Sequence, residues 1–168
     1  MLNELQKSAE KTGSILIGRN ISLSACESCT GGMFSSAICG VPGISAVFDS
    51  GLVTYSNASK MKNLGVREET IEAYTEISAE TAAEMAEGLY RKTGSDICIS
   101  ITGVAGPDDI SPEKPAGFSY IGLCIKGGPA EVFVYREPCR DRERNRERMT
   151  LFMLDIISEA ADRFLNND

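Results

Sequence analysis

The chain has 168 residues, of which 42% are hydrophobic and 24% charged, with a formal net charge of −7. This composition suits one globular domain spanning 1–168, long enough to bury roughly 70% of its unfolded surface, and excludes disordered and fibrous classes. The acidic balance argues against a broad nucleic-acid face, and the lack of histidine removes Ser-His-Asp, Cys-His and His-ligated metal chemistry, leaving Lys, Tyr, Asp or Glu as bases.

Leu2, Leu5, Ala9 and Leu16 recur at helical spacing, predicting a first helix that ends near Gly18-Arg19-Asn20. The amphipathic opening Met1-Leu2-Asn3-Glu4-Leu5-Gln6-Lys7 has no signal-peptide h-region, and no run approaches the ~20 apolar residues of a membrane span, so a cytoplasmic location is expected. Ile21 to Ala25 reads as a strand. The segment Ser24-Ala25-Cys26-Glu27-Ser28-Cys29-Thr30-Gly31-Gly32 then runs into a helix from Met33 to Cys39. Such a strand-to-helix turn offers unpaired N–H groups to a phosphate or a developing oxyanion. Gly40-Val41-Pro42-Gly43 breaks the helix. Ala46-Val47-Phe48 and Gly51-Leu52-Val53-Thr54-Tyr55 read as one strand bent or bulged at Asp49-Ser50-Gly51.

Asn57 is expected to cap a short helix carrying Lys60, another helix follows from Arg67, and Ser78 caps a longer one with an apolar stripe of Ala82, Met85, Ala86 and Leu89, closed by Gly94. Ile97 to Ile101 reads as a buried strand, followed by a second glycine-rich turn, Thr102-Gly103-Val104-Ala105-Gly106-Pro107. Phe118 to Ile125 and Glu131 to Tyr135 form a predicted hairpin, which makes the sheet mixed. From Arg140 onward Met149, Phe152, Ile156, Ala160 and Phe164 mark an amphipathic helix. Its arginines at alternate positions point to opposite sides and form no continuous basic face. The order of elements predicts an α/β fold, a three-layer α/β/α sandwich with a mixed β-sheet and ligands near the carboxyl ends of strands.

Cys39, Cys98 and Cys124 lie in apolar stretches and are expected as small buried hydrophobes. Cys26 and Cys29 have thiol-redox spacing at a strand-to-helix junction, which makes a thiol oxidoreductase one alternative reading. Glu27 has two readings, as support for the following helix dipole or as a pocket carboxylate acting on Lys60.

Four stretches occur together in order: Glu27-Ser28-Cys29-Thr30-Gly31-Gly32; Val53-Thr54-Tyr55-Ser56-Asn57 with Lys60; Gly103-Val104-Ala105-Gly106-Pro107-Asp108; and Ser111-Pro112-Glu113-Lys114-Pro115-Ala116-Gly117. This set resembles the CinA C-terminal domain family, and the resemblance covers nearly the whole chain. The family includes stand-alone nicotinamide-nucleotide amidohydrolases, which convert nicotinamide mononucleotide to nicotinate mononucleotide and ammonia, and domains fused behind a molybdopterin-binding-like module. The chain resembles the stand-alone type. The resemblance implies Ser28 as nucleophile, Lys60 as its general base and Tyr55 as a neighbouring hydroxyl that orients or relays a proton.

Thr30, Gly31 and Gly32 are expected to supply oxyanion or phosphate contacts, with Thr102, Gly103 and Gly106 facing the same cleft; which turn serves which group stays open. Arg142 or Arg146 is expected to reach phosphate. The resemblance further implies a small-molecule nucleotide substrate and a homodimer or higher homo-oligomer, with no metal, organic cofactor, nucleic acid or membrane partner. Cys26, Ser50 and Asp109-Ile110 depart from the family pattern, and a non-catalytic nucleotide- or phosphate-binding module is the alternative that would follow from lost turnover.

Overall fold

The computed structural model describes residues 3–164. It opens with helix α1 (Glu4–Arg19), whose start is closed by a reciprocal pair: Asn3 Oδ1 accepts from the Gln6 N–H, and Gln6 Oε1 accepts from the Asn3 N–H. Asn20 ends it in the left-handed region. Strand β1 (Leu23–Glu27), helix α2 (Met33–Cys39) and strand β2 (Phe48–Val53) follow, and the last is reached through a single 3₁₀ turn at Ile44–Ala46. Three helices then run in succession: α3 (Asn57–Leu64), α4 (Glu68–Tyr74) and α5 (Ala79–Thr93). Strands β3 (Ile97–Val104), β4 (Phe118–Ile125) and β5 (Glu131–Arg136) lead into the long helix α6 (Arg142–Arg163).

The five strands form one sheet in the order β2-β1-β3-β4-β5. β2, β1 and β3 are parallel, and β4 and β5 are antiparallel to their predecessors. The mixed sheet and the α/β/α layering are therefore as read from the alternation of patterns. The bulge is present: Leu23 pairs with Phe48 but Ser24 with Ser50, leaving Asp49 as the extra residue.

Strand alternation splits the core into two chemically different faces. Leu23, Ala25, Ile97, Ile99, Ile101, Ile121 and Leu123 point to one side, where α1, α2 and α6 cover them with Leu16, Phe34, Ile38, Met149 and Met153. The other side is lined by Cys26, Cys98 and Cys124, with Ser100 and Gly122 in register beside them. These small groups let α5 lie close to the sheet. Ser100 Oγ donates to Ala82 O in α5 at 2.6 Å and accepts from the Gly122 N–H at 3.1 Å. Cys98 and Cys124 thus behave as the small hydrophobes expected. Cys39 does not: it is exposed at the end of α2, because the helix buries Phe34 and Ile38 and turns the intervening face outward.

Four other expectations are corrected. Ser56, not Asn57, caps α3, its Oγ accepting from the Ser59 N–H. Ala46 and Val47 belong to the 3₁₀ turn and its end, not to a strand. Strand β1 begins at Leu23, two residues later than expected. β3 runs on through Thr102 and Gly103 to Val104, since their partners Tyr120 and Ser119 continue the antiparallel ladder. Leu2, assigned to the first helix, lies outside the described residues.

Sheet order creates a crevice. β1 connects to β2 on one side through α2, and β2 returns to β3 on the other side of β1 through α3, α4 and α5. The carboxyl ends of β1 and β3 therefore diverge at a switch point, the place where open α/β sheets bind ligands.

Two glycines test this packing from opposite directions. A Cβ at Gly88 in α5 would lie 1.8 Å from the Leu64 carbonyl oxygen at the end of α3, whereas one at Gly18 in α1 meets nothing within 4 Å. Gly88→Ala is expected to destabilise the protein by about 3 kcal/mol, because backbone must move. Gly18→Ala is expected to stabilise it by about 0.5 kcal/mol through helix propensity. Urea unfolding of both variants measures the contrast.

Candidate functional site

Ser28 is the first residue after β1, and its N–H still bonds to Ile101 O at 3.1 Å, so the strand ladder holds its backbone. Lys60 lies in the first turns of α3, started by the Ser56 cap. The two meet at the crevice: Lys60 Nζ lies 3.1 Å from Ser28 Oγ, 3.1 Å from Thr54 O and 3.3 Å from Tyr55 O. Lys60 is 1% exposed, Ser28 8%.

Burial pushes the Lys60 amine below its ordinary pKa, and the nearby Glu76 carboxylate, Cys29 and Cys26 offset part of that shift. A neutral amine has two N–H groups and one lone pair. As an ammonium, Lys60 Nζ donates to Ser28 Oγ and to both carbonyls; in the neutral form the two carbonyls can take both N–H groups and the lone pair can accept from the Ser28 hydroxyl. The geometry is that of a hydroxyl nucleophile with a base in hydrogen-bond reach.

A cavity of about 280 Å³ opens over this pair. Its walls include Thr102 to Asp108, Glu76, Ile77, Tyr55, Ile110 and Arg142. Arg142 spans the rim, donating to Gly106 O at 2.6 Å and to Tyr55 Oη at 3.0 Å.

The structure brings some expected residues together and separates others. Ser28, Lys60, Tyr55, Thr102, Gly103, Gly106 and Arg142 all line the cavity. Tyr55, however, presents its backbone carbonyl to Lys60, while its 59%-exposed side chain turns outward and its hydroxyl accepts from Arg142. Tyr55 thus meets Lys60 through its backbone carbonyl and Arg142 through its hydroxyl. The Thr102 hydroxyl donates to Glu76 O at 2.6 Å, tying β3 to the turn before α5.

Glu27, Gly31 and Gly32 do not line this cavity, and neither does Thr30, which is fully buried. The Gly31 N–H bonds to Ser28 O and the Gly32 N–H to Glu27 Oε2, so neither is free for an oxyanion. Gly31 and Gly32 serve geometry, with φ of 61° and 93° that turn the chain sharply into α2. Glu27 resolves to its first reading. Fully buried, it accepts from the N–H groups of Gly32, Phe34 and Ser35 and from Ser35 Oγ, at 2.7 to 3.1 Å. It is the cap of α2 supplied from the strand. Arg146 holds Thr30 O instead of reaching the cavity.

The thiol pair does not form a redox site. Cys26 Sγ donates to Met85 O on the α5 side, whereas Cys29 contacts Met149 Sδ on the α6 side. Both are buried, and burial pushes Cys26 well up and Cys29 to about 12, the opposite of a reactive thiolate.

Sequence reasoning missed Glu76, Ile77, Asp108 and Ile110 as cavity residues, and Asn145 as a brace. Buried at the start of α6, Asn145 donates to Ala105 O at 2.9 Å and Cys139 O at 2.6 Å, fixing the turn that carries Gly106. A polar residue among the charges before an amphipathic stripe carries no signal of that role.

Because Glu27 anchors the turn holding Ser28, Glu27→Gln is expected to cost about 3 kcal/mol by leaving an amide NH₂ against N–H donors. Chemical denaturation reads this loss.

Residues 5–161 match the CinA C-terminal domain. A Clostridium novyi protein named for competence-damage induction is 52% identical over 154 residues, covering 92% of this chain and 37% of its own. A CinA-like protein of Kosmotoga olearia is 42% identical over 147 residues, covering 88% and 35%. The chain thus spans little more than a third of the length of these curated relatives. Among solved structures, a CinA superfamily protein from Klebsiella pneumoniae superposes with a TM-score of 0.90 at 29% identity, covering 96% of this chain and 99% of that one. The Agrobacterium tumefaciens competence/damage inducible protein CihA gives 0.89 at 29% identity, covering 96% and 98%. The family match over residues 5–161 and the superposition on CinA superfamily structures agree, and the chain belongs to the CinA C-terminal domain family.

Proposed function

We propose that the site hydrolyses a carboxamide, with nicotinamide mononucleotide as substrate and nicotinate mononucleotide and ammonia as products. The observation that carries this reading is the 3.1 Å approach of a buried, pKa-lowered Lys60 amine to Ser28 Oγ. In this mechanism Lys60 takes the proton of Ser28 as Oγ attacks the carboxamide carbon. The protonated amine then gives that proton to the leaving nitrogen, the C–N bond breaks, and ammonia departs from an acyl-Ser28 ester. Water, deprotonated by the same amine, attacks the ester and restores Ser28.

The tetrahedral oxyanion needs donors that are not already committed. We assign this role to the N–H of Cys29, adjacent to the nucleophile, and to that of Gly106 on the facing turn. Neither donates to a backbone acceptor among the turn and loop hydrogen bonds of the described residues. The Gly106 N–H shares its peptide with the Ala105 carbonyl, which accepts from Asn145, and a trans peptide directs its N–H opposite to its carbonyl. We assign the 5′-phosphate to Arg142 on the rim, which would exchange its contact with the Tyr55 hydroxyl for a phosphate oxygen.

Ammonia and nicotinate mononucleotide should appear in equal amounts, and Ser28→Ala or Lys60→Met should each lower kcat by about 10³-fold or more. Retention of wild-type turnover by both variants would refute the mechanism. Because burial lowers the Lys60 pKa, the neutral base is populated below the ordinary lysine range. The kcat/KM profile should therefore rise with pH through an apparent pKa below 10.5 and level off above it.

A further inference from the structure

The turn between α4 and α5 has a backbone geometry that its sequence does not favour. Thr75 has φ 73° and ψ 167°, a region essentially reserved for glycine, yet the residue is β-branched. Contacts from two directions hold it there. Ser78 Oγ and Thr81 Oγ1 both donate to Thr75 O, at 3.1 and 2.8 Å, and Lys114 Nζ donates to Thr75 Oγ1 at 3.0 Å. The next carbonyl, of Glu76, is taken by Thr102 Oγ1 from β3. The consequence of this over-determined turn is that Glu76 becomes part of the wall of the Ser28/Lys60 cavity.

Glu76 is half-buried there, and no ion pair joins it to a Lys or Arg among the described residues. Arg142, the basic side chain at the rim, is bonded to Gly106 O and Tyr55 Oη. Lys60 feels the Glu76 charge, which raises its pKa against the lowering by burial, but no ion pair joins the two. Asp108, exposed at the outer edge of the same cavity, has the same sign as Glu76. The inner wall thus presents a carboxylate without an ion-pair partner among the described residues, with Lys114 held on the adjacent Thr75 hydroxyl, in a cleft where low dielectric and poor screening strengthen its field.

We propose that Glu76 is a specificity-determining residue that selects carboxamides carried on a cationic ring, such as an N-substituted pyridinium, over the same carboxamide on a neutral ring. This rests on the amide-hydrolase reading. With the carboxamide carbon at Ser28 Oγ, the attached ring occupies the cavity that Glu76 borders. A positive charge on that ring interacts favourably with the carboxylate, and a neutral ring leaves it without a partner. Glu76 also bears on the base. The charged or titratable groups acting on Lys60 are Glu76, Cys29 and Cys26, and burial keeps both thiols protonated. Removal of the Glu76 charge therefore makes the amine easier to deprotonate.

The test compares nicotinamide mononucleotide with its 1,4-dihydro form, which has the same ribose phosphate on a neutral ring, in wild-type protein and in Glu76→Gln. The intrinsic reactivities of the two amides cancel when the ratio of their kcat/KM values is compared between proteins. Glu76→Gln is expected to lower the cation-to-neutral ratio by about tenfold, through KM for the cationic substrate. It should also move the acidic limb of the pH profile to lower pH. A structural role alone would slow both substrates equally and leave the limb in place, and an unchanged ratio would overturn the proposal. If wild-type protein releases ammonia from neither nucleotide, the hydrolase reading fails by itself. Equilibrium binding of the two forms then decides the role of Glu76: a preference for the cationic form that Glu76→Gln abolishes supports it, and equal binding in both proteins overturns it.

Discussion

The burial of one lysine amine organises this structure. An ammonium group taken out of water costs several kcal/mol even after relaxation, so Lys60 is tolerated at 1% exposure only where acceptors surround it or where it gives up its proton. The fold supplies the acceptors, and burial lowers the pKa of the amine. The end of β2 turns so that the carbonyls of Thr54 and Tyr55 face Nζ, and the Ser56 cap starts α3 immediately afterwards, bringing Lys60 back over its own approach segment. Ser28 closes the arrangement from β1.

What keeps Ser28 in place is a second buried charge with a different role. Glu27 points away from the cavity and spends its oxygens on the start of α2, a helix whose N-cap residue, Gly32, has no side chain to cap it. Consecutive residues of β1 point to opposite sides of the sheet, so Glu27 stabilises the helix while Ser28 faces the crevice. Stability and chemistry are thus assigned to neighbouring residues by strand geometry. The small residues on the α5 face extend the same logic. They let α5 lie close enough for Ala82 O to bond to Ser100 Oγ, and Gly88 lets α3 end against α5. The helix bearing Lys60 is thereby packed at its far end as well as capped at its start.

The cavity walls come from segments distant in sequence that have little local preference for their shape. The Gly106 turn is braced by Asn145 from α6, and Glu76 is presented by a turn that holds Thr75 at positive φ. Both depend on side chains supplied from elsewhere in the fold. Their strain or unpaired polarity is compensated by hydrogen bonds formed only when the layers assemble.

Much of this was legible in the residues. The 3.6-residue stripes of α1, α5 and α6, the apolar run of β3, the hairpin of β4 and β5 and the bulge in β2 follow from local periodicity and turn chemistry, which act over a few residues and leave a readable pattern. The motifs around Ser28 and Lys60 marked the cleft for the same reason. Tertiary structure alone decided that Tyr55 would meet Lys60 through its carbonyl, that Gly31 and Gly32 would spend their N–H groups on scaffold contacts, that Cys26 and Cys29 would face different layers, and that Glu76 would border the cavity. Each of these depends on which face of the sheet a side chain takes and which distant group meets it there. Those are properties of the packed layers, and no stretch of a few residues contains them.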